Sequence, residues 1–200
     1  LDGTGGLVDE RTVKEQLLYE VHDPARYLTP DVTADFSTVS VTAAGSDRVR
    51  IDGAGGAPRP ERLKVTVAFD GGWLAEAGVS YAGEGARERA EMAGDIVLER
   101  MRRVHGTNAP VRIDLVGVHS LHATADRDYP AETRDVRVRC AMRASSRDEA
   151  ELLLWEVESL LCCGPSAGGG YRGAVTPSVV TYSTSVDREA VSPRVEVFQA

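Results

Sequence analysis

Two ten-residue stretches constrain the fold of this 200-residue chain more than any other feature. In "WLAEAGVSYA" (73–82), Trp73, Ala75, Ala77, Val79 and Tyr81 share one side. In "DVRVRCAMRA" (135–144), Val136, Val138, Cys140 and Met142 share one side, and Arg137, Arg139 and Arg143 take the other. A period of two is the mark of a strand with one buried face. Alternation, rather than an unbroken apolar run, points to an antiparallel sheet covered on one side only.

Two helical stripes supply the cover. Over residues 84–105, Ala90, Ala93, Val97, Met101 and Val104 recur at helical spacing. "SRDEAELLLWEVESLL" (146–161) opens with a Ser146 to Glu149 capping box and lines up Ala150, Leu153, Leu154, Val157, Leu160 and Leu161. "VRIDLVGV" and "SVVTYSTSV" read as further strands, and "LKVTVAF" as a hairpin strand joined to Trp73 by a tight turn at "DGG". From Trp73 onward the order is β-α-β-β-α-β, the split βαβ or ferredoxin-like pattern. The fold class is therefore α+β, a mostly antiparallel sheet with two long helices on one face.

Residues 63–200 form this α+β domain, and residues 1–62 form a lead-in. The lead-in begins with "VDERTVKEQLLYEV", a helix behind an Asp9 cap. "HDPARYLTPDVTADF" is too proline-rich to continue it and runs extended. "STVSVTA" and "RVRID" make a small hairpin. Leu17, Leu18, Tyr19, Tyr27 and Phe36 have no evident local core, so the segment is expected to pack against other protein. The chain opens at Leu1 without a methionine, which reads as a fragment or a processed piece.

Composition narrows the function. A net charge of −8, with Lys14 and Lys64 the only lysines, argues against a nucleic-acid binder. The positive charge is almost wholly arginine, whose planar fork suits carboxylate and phosphate, so a local anion site is compatible with an acidic chain. Cys140, Cys162 and Cys163 give neither a disulfide framework nor a zinc spacing, which suits the reducing cytoplasm. No apolar run reaches the length of a membrane span, and no signal-peptide pattern is present. The signatures GxSxG, HExxH and GxGxxG are absent, and no metal is implied.

Three constellations remain. Arg137 and Arg139 are either a solvated strand face or a cationic platform for a carboxylate, phosphate or acyl-CoA group. Asp114 and His119 flank the loop "HSLHATADRDYPAE", with His122, Asp126 and Asp128 further on, where an acid or base would be placed. "LCCGPSAGGGYRG" follows a helix and precedes a strand, the reverse of a phosphate loop. Gly164 fits a helix cap, while Gly168, Gly169 and Gly170 are either a connector or a nest of amides for an anion, with Arg172 beside it.

The blocks "GTGGLV", "EQLLYEVHDPARYLTPDVTADFS", "RVRIDGAGGAPRPERLKV", "RIDLVGVHSLH" and "GPSAGGGYRG", in that order, resemble the acyclic terpene utilisation (AtuA) family over nearly the whole chain. The resemblance is to the C-terminal part of such proteins, so an N-terminal α/β part, in the same protein or a separate chain, is an expected partner. A small AtuA-like partner domain and an oligomer are expected too. The resemblance implies a cytoplasmic enzyme of hydratase, dehydratase or lyase type acting on a branched or unsaturated acyl substrate. A CoA thioester is expected as part of the substrate and no separate cofactor. Two positions depart from the family pattern: His119 replaces an acidic residue, and "CCGPS" replaces "NGPA". The competing expectation is a non-catalytic binding or oligomerisation module that supports a partner's active site.

Overall fold

The computed structural model describes residues 3–121 and 133–198. The chain divides into two compact units, one made of Leu1–Val67 with Tyr182–Ala200, the other of Ala68–Thr181.

In the first unit, α1 (Glu10–Leu18) begins at Asp9, whose carboxylate accepts from the amides of Arg11 and Thr12 while Thr12 Oγ1 accepts from the Asp9 amide. This reciprocal cap satisfies donors that the first helical turn leaves open. The helix buries none of its residues, and Leu18 and Tyr19 are exposed. The proline-rich stretch does run extended. It gives β1 (Tyr27–Leu28) and β2 (Thr33–Asp35), which pair antiparallel. The predicted hairpin is β3 (Ser40–Gly45) with β4 (Arg48–Asp52), and β5 (Gly55–Ala57) adds to β2. Tyr27 packs between His22 and Phe36, a small aromatic cluster local to this unit.

The second unit is built on β6 (Arg62–Ala82), α2 (Ala86–Arg103), β7 (Val111–Val116), β8 (Asp135–Ala144), α3 (Arg147–Cys163) and β9 (Gly168–Asp187), with β6 and β9 also contributing their outer ends to the first unit. The strands order as β7-β8-β6-β9, and β8 runs antiparallel to both β6 and β7. Val180 lies against Gly71 and Tyr81 against Gly168, so β9 is antiparallel to β6 as well. The class is α+β, and the sheet is antiparallel, as the alternation predicts. Ala75, Ala77, Val79 and Tyr81 of β6 and Val136, Val138, Cys140 and Met142 of β8 are buried beneath Ala90, Ala93, Val97 and Met101 of α2 and Ala150, Leu153, Val157 and Leu160 of α3. Alanines at the α2 contact let the helix approach closely. A β-carbon on Gly94 would come within 2.8 Å of Ile113.

Two local expectations are corrected, and one buried group is added. "DGG" makes no hairpin: β6 runs unbroken through it, because β9 pairs alongside. Asp70 Oδ1 accepts from the Gly72 amide at 2.9 Å and Gly72 takes φ 76°, so a kink absorbs the turn residues. Val104 and Leu161 are exposed at the helix ends rather than buried. Finally, α3 buries an acid that its apolar stripe does not announce. Glu156 is 1% exposed and receives Arg100 Nε at 2.5 Å and Nη2 at 3.1 Å, with His105 Nε2 at 2.6 Å.

Burial alone would raise the Glu156 pKa, but the hydrogen bonds from Arg100 and His105, with their charges, outweigh it and hold it below the usual carboxylate range. A depressed folded value means the ion pair contributes its full stability above about pH 4.5, the ordinary glutamate value, and loses it as pH falls through the folded value. Glu156→Gln is therefore expected to cost about 2 kcal/mol at neutral pH. The gap to wild type should narrow progressively in denaturation curves taken at decreasing pH below about 4.5. A gap that is constant with pH would contradict the assignment.

Cys140 is fully buried, and burial followed by the nearby Asp114 charge pushes its thiol up to about 12. Cys162 and Cys163 at the end of α3 are exposed. A thiol reagent such as DTNB is expected to titrate Cys162 and Cys163 in the native protein and Cys140 only after denaturation.

Candidate functional site

The pleat that buries one face of the sheet turns the other out, and in the second unit both helices lie on the buried side. The outward positions are Arg112 and Asp114 on β7, Arg137 and Arg139 on β8, Glu76, Gly78 and Ser80 on β6, and Arg172 and Ala174 on β9. β8 is central to these, flanked by β7 and β6, so its arginines reach groups on both neighbours.

Asp114 is only 5% exposed although it faces outward, because two guanidinium groups enclose it. Arg112 Nε donates to Oδ1 at 2.9 Å, and Arg139 donates to Oδ2 from Nε at 3.1 Å and Nη2 at 2.7 Å. Burial pushes its pKa up, but the bonds from Arg139 and Arg112 and their charges prevail and keep it lowered. A carboxylate so held is a weak base and a firm anchor. Arg137 takes a different posture. Its Nη2 donates to Gly78 O at 3.0 Å and its Nη1 to Gly170 O at 2.9 Å, with Ser80 Oγ at 3.4 Å. The guanidinium lies against Gly78, where a β-carbon would stand 3.0 Å from Arg137 Nε and 2.6 Å from Val138 O. Its bonded partners are neutral, so its charge is not cancelled.

Between these side chains is a cleft of about 220 Å³, lined by Glu76, Gly78, Arg137, Arg139, Arg172 and Ala174 among others. Arg172 donates to the Tyr171 carbonyl at 2.8 Å, and its remaining donors are available to a ligand. Three guanidinium groups thus face one carboxylate, Glu76, with Asp114 behind Arg139. The cleft has room for a carboxylate, phosphate or thioester head group, whereas pockets that bury a whole drug-sized molecule start near 300 Å³.

The fold brings Arg137, Arg139 and Arg172 together and ties Asp114 to them. His119 is held apart. It closes a turn after β7, with its amide donating to Leu115 O at 2.7 Å and its carbonyl accepting from Leu115 N at 3.0 Å, and it does not line the cleft. Arg112 Nη2 donates to Ser120 O at 3.1 Å, so the same arginine that clamps Asp114 tethers this turn. His122, Asp126 and Asp128 lie outside the described residues. Arg143 is exposed and does not line the cleft. Among the described residues, no three His, Cys, Asp or Glu side chains group as metal ligands.

The glycine run is the start of β9 rather than a loop, and none of its three residues lines the cleft. Gly168 packs on the Tyr81 ring, 3.0 Å from where a β-carbon would be. Gly169 has open space, and Gly170 takes φ 66° and gives its carbonyl to Arg137. Gly168→Ala is expected to lower stability by about 1 kcal/mol, while Gly169→Ala leaves it within about 0.5 kcal/mol. Thermal melts of the two variants would check this, and equal melting temperatures would count against the packing described. Glu76, Gly78 and Ser80 escaped the sequence reading. The available signal was Gly78, a glycine at an outward position inside a strand, which marks a close approach by another group.

Fold and site together define an α+β protein with an arginine-lined cleft on its open sheet face. The chain belongs to the acyclic terpene utilisation family: the model for "Acyclic terpene utilisation family protein AtuA" matches residues 1–197. No curated protein matches the chain. Among solved structures, "De novo designed protein Ferredog-Diesel" is similar at 17% identity, covering 52% of this chain and 85% of that one with a TM-score of 0.33, a likeness too low to support any inference.

Proposed function

We propose that the open sheet face binds the anionic head of an acyl substrate, as the substrate-holding part of an enzyme that hydrates, dehydrates or cleaves a branched or unsaturated acyl-CoA. The observation that carries the reading is the convergence of Arg137, Arg139 and Arg172 on one cleft, two of them bonded to backbone carbonyls and not to acids. Guanidinium groups suit both the phosphates of a CoA moiety and the oxygen that gains charge when an acyl carbonyl becomes an enolate. Family membership supports a role in acyclic terpene utilisation. Asp114 would orient Arg139 and, through Arg112, tether the turn that carries His119.

One observation favours a second reading, that of a binding or assembly module. Both oxygens of Asp114 are occupied by arginine donors, so the carboxylate behind Arg139 is poorly placed to accept a proton. Incubation with 3-methylcrotonyl-CoA, followed by chromatography of the thioesters, separates the two. The enzyme reading expects consumption that is lost in Arg172→Glu. Binding without consumption supports the module, and neither binding nor consumption removes both.

A further inference from the structure

Another cavity belongs to the first unit and has no part in the cleft above: about 680 Å³, within the range of pockets that enclose small molecules. Leu28, Pro30, Pro60, Leu63, Val191 and Pro193 give it apolar walls. Three of these are prolines, which fix their own backbone and bring no amide donor to be satisfied. The frame is set by Arg188, whose Nε donates to Pro60 O at 3.1 Å and whose Nη2 donates to Pro30 O, while its own amide donates to Glu61 O at 3.1 Å. One guanidinium thus joins three chain segments through neutral carbonyls and keeps its charge at the cavity wall.

Two more cations line the same cavity. Arg59 and Lys64 are exposed and have no hydrogen-bonded or ionic partner among the described residues; the acid beside them is Asp31. Lys64 is one of only two lysines in a chain of net charge −8. A locally cationic rim over apolar walls, on an acidic protein, selects by complementarity an apolar body with an anionic head. We infer that the first unit carries its own ligand site for a small amphipathic anion, its hydrocarbon part against the proline and leucine walls and its carboxylate or phosphate head at Arg59 and Lys64. A compact aliphatic acid satisfies both requirements, and a tail-less anion or a neutral alcohol satisfies only one.

Isothermal titration of the full chain with sodium octanoate, octyl phosphate, 1-octanol and inorganic phosphate tests the site. Octanoate and octyl phosphate are expected to bind at least ten-fold more tightly than octanol or inorganic phosphate, and their ranking identifies the preferred head. The double variant Arg59→Ser/Lys64→Ser, altered only at exposed side chains, is expected to weaken octanoate at least ten-fold. Arg172→Glu, in the other unit, should leave octanoate binding at this cavity unchanged, whatever it does to anions on the sheet face. Octanoate that fails to bind, binds no better than octanol, or is indifferent to the double variant overturns the inference. So does a concentration-dependent dimer in sedimentation that the double variant dissolves, because a second copy of the chain is then the occupant. An octanoate loss confined to Arg172→Glu overturns it too, while leaving the proposed role of the sheet face standing.

Discussion

Gly78→Ala is expected to destabilise the protein by about 3 kcal/mol, the upper range of overpacking effects. The added methyl would meet Val138 O at 2.6 Å and the Arg137 guanidinium at 3.0 Å and 3.1 Å. Neither neighbour can yield cheaply. Val138 belongs to the central strand β8, where Gly78 is in register with Arg139, and Arg137 is held by the Gly78 and Gly170 carbonyls. The same substitution should dislodge Arg137 from the cleft floor, so anion affinity falls along with stability. Denaturant unfolding gives the first number and phosphate titration the second. A variant with wild-type stability would show that the approach of Arg137 to the backbone is looser than described.

Asp114→Ala is expected to cost about 3 kcal/mol, at the low end for breaking a buried ion pair, because both arginine partners reach solvent and can rehydrate. Its effect on the cleft has the opposite sign. Arg139 loses its carboxylate and offers Nε and Nη2 to a ligand, so anion affinity should rise several-fold as stability falls. The wild-type contribution is present above about pH 3.8, the ordinary aspartate value, and is lost as pH falls through the lowered folded value. A general base would behave differently: its removal would abolish turnover without strengthening binding. Measured together, unfolding midpoint and phosphate affinity separate the two roles.

The layers of the second unit were legible because one signal, period-two alternation against two helical stripes, fixes both which face is buried and what buries it. Asp70–Gly72 misled because turn residues signal a reversal only when no strand pairs across them, and β9, more than a hundred residues later, does so. The glycine run misled for a similar reason: local composition reads as a loop, while its place at the start of β9 depends on Tyr81 lying opposite Gly168. The arginine face was visible as a pattern, but its convergence with Arg172 was not, because β9 reaches β8 only across β6. Glu156 was illegible for a physical reason. A buried acid is tolerated only with its partners in place, and Arg100 and His105 arrive from outside its own helix.

The most direct test of the central claim is the affinity of 3-methylcrotonyl-CoA for the chain and for Arg172→Glu, an exposed substitution on the sheet face, each titrated at two salt concentrations. Saturable binding, weakened by salt and reduced at least ten-fold by Arg172→Glu with the unfolding midpoint unchanged, is the expected result. Binding of equal strength in both proteins would contradict the assignment of the open sheet face as the ligand site.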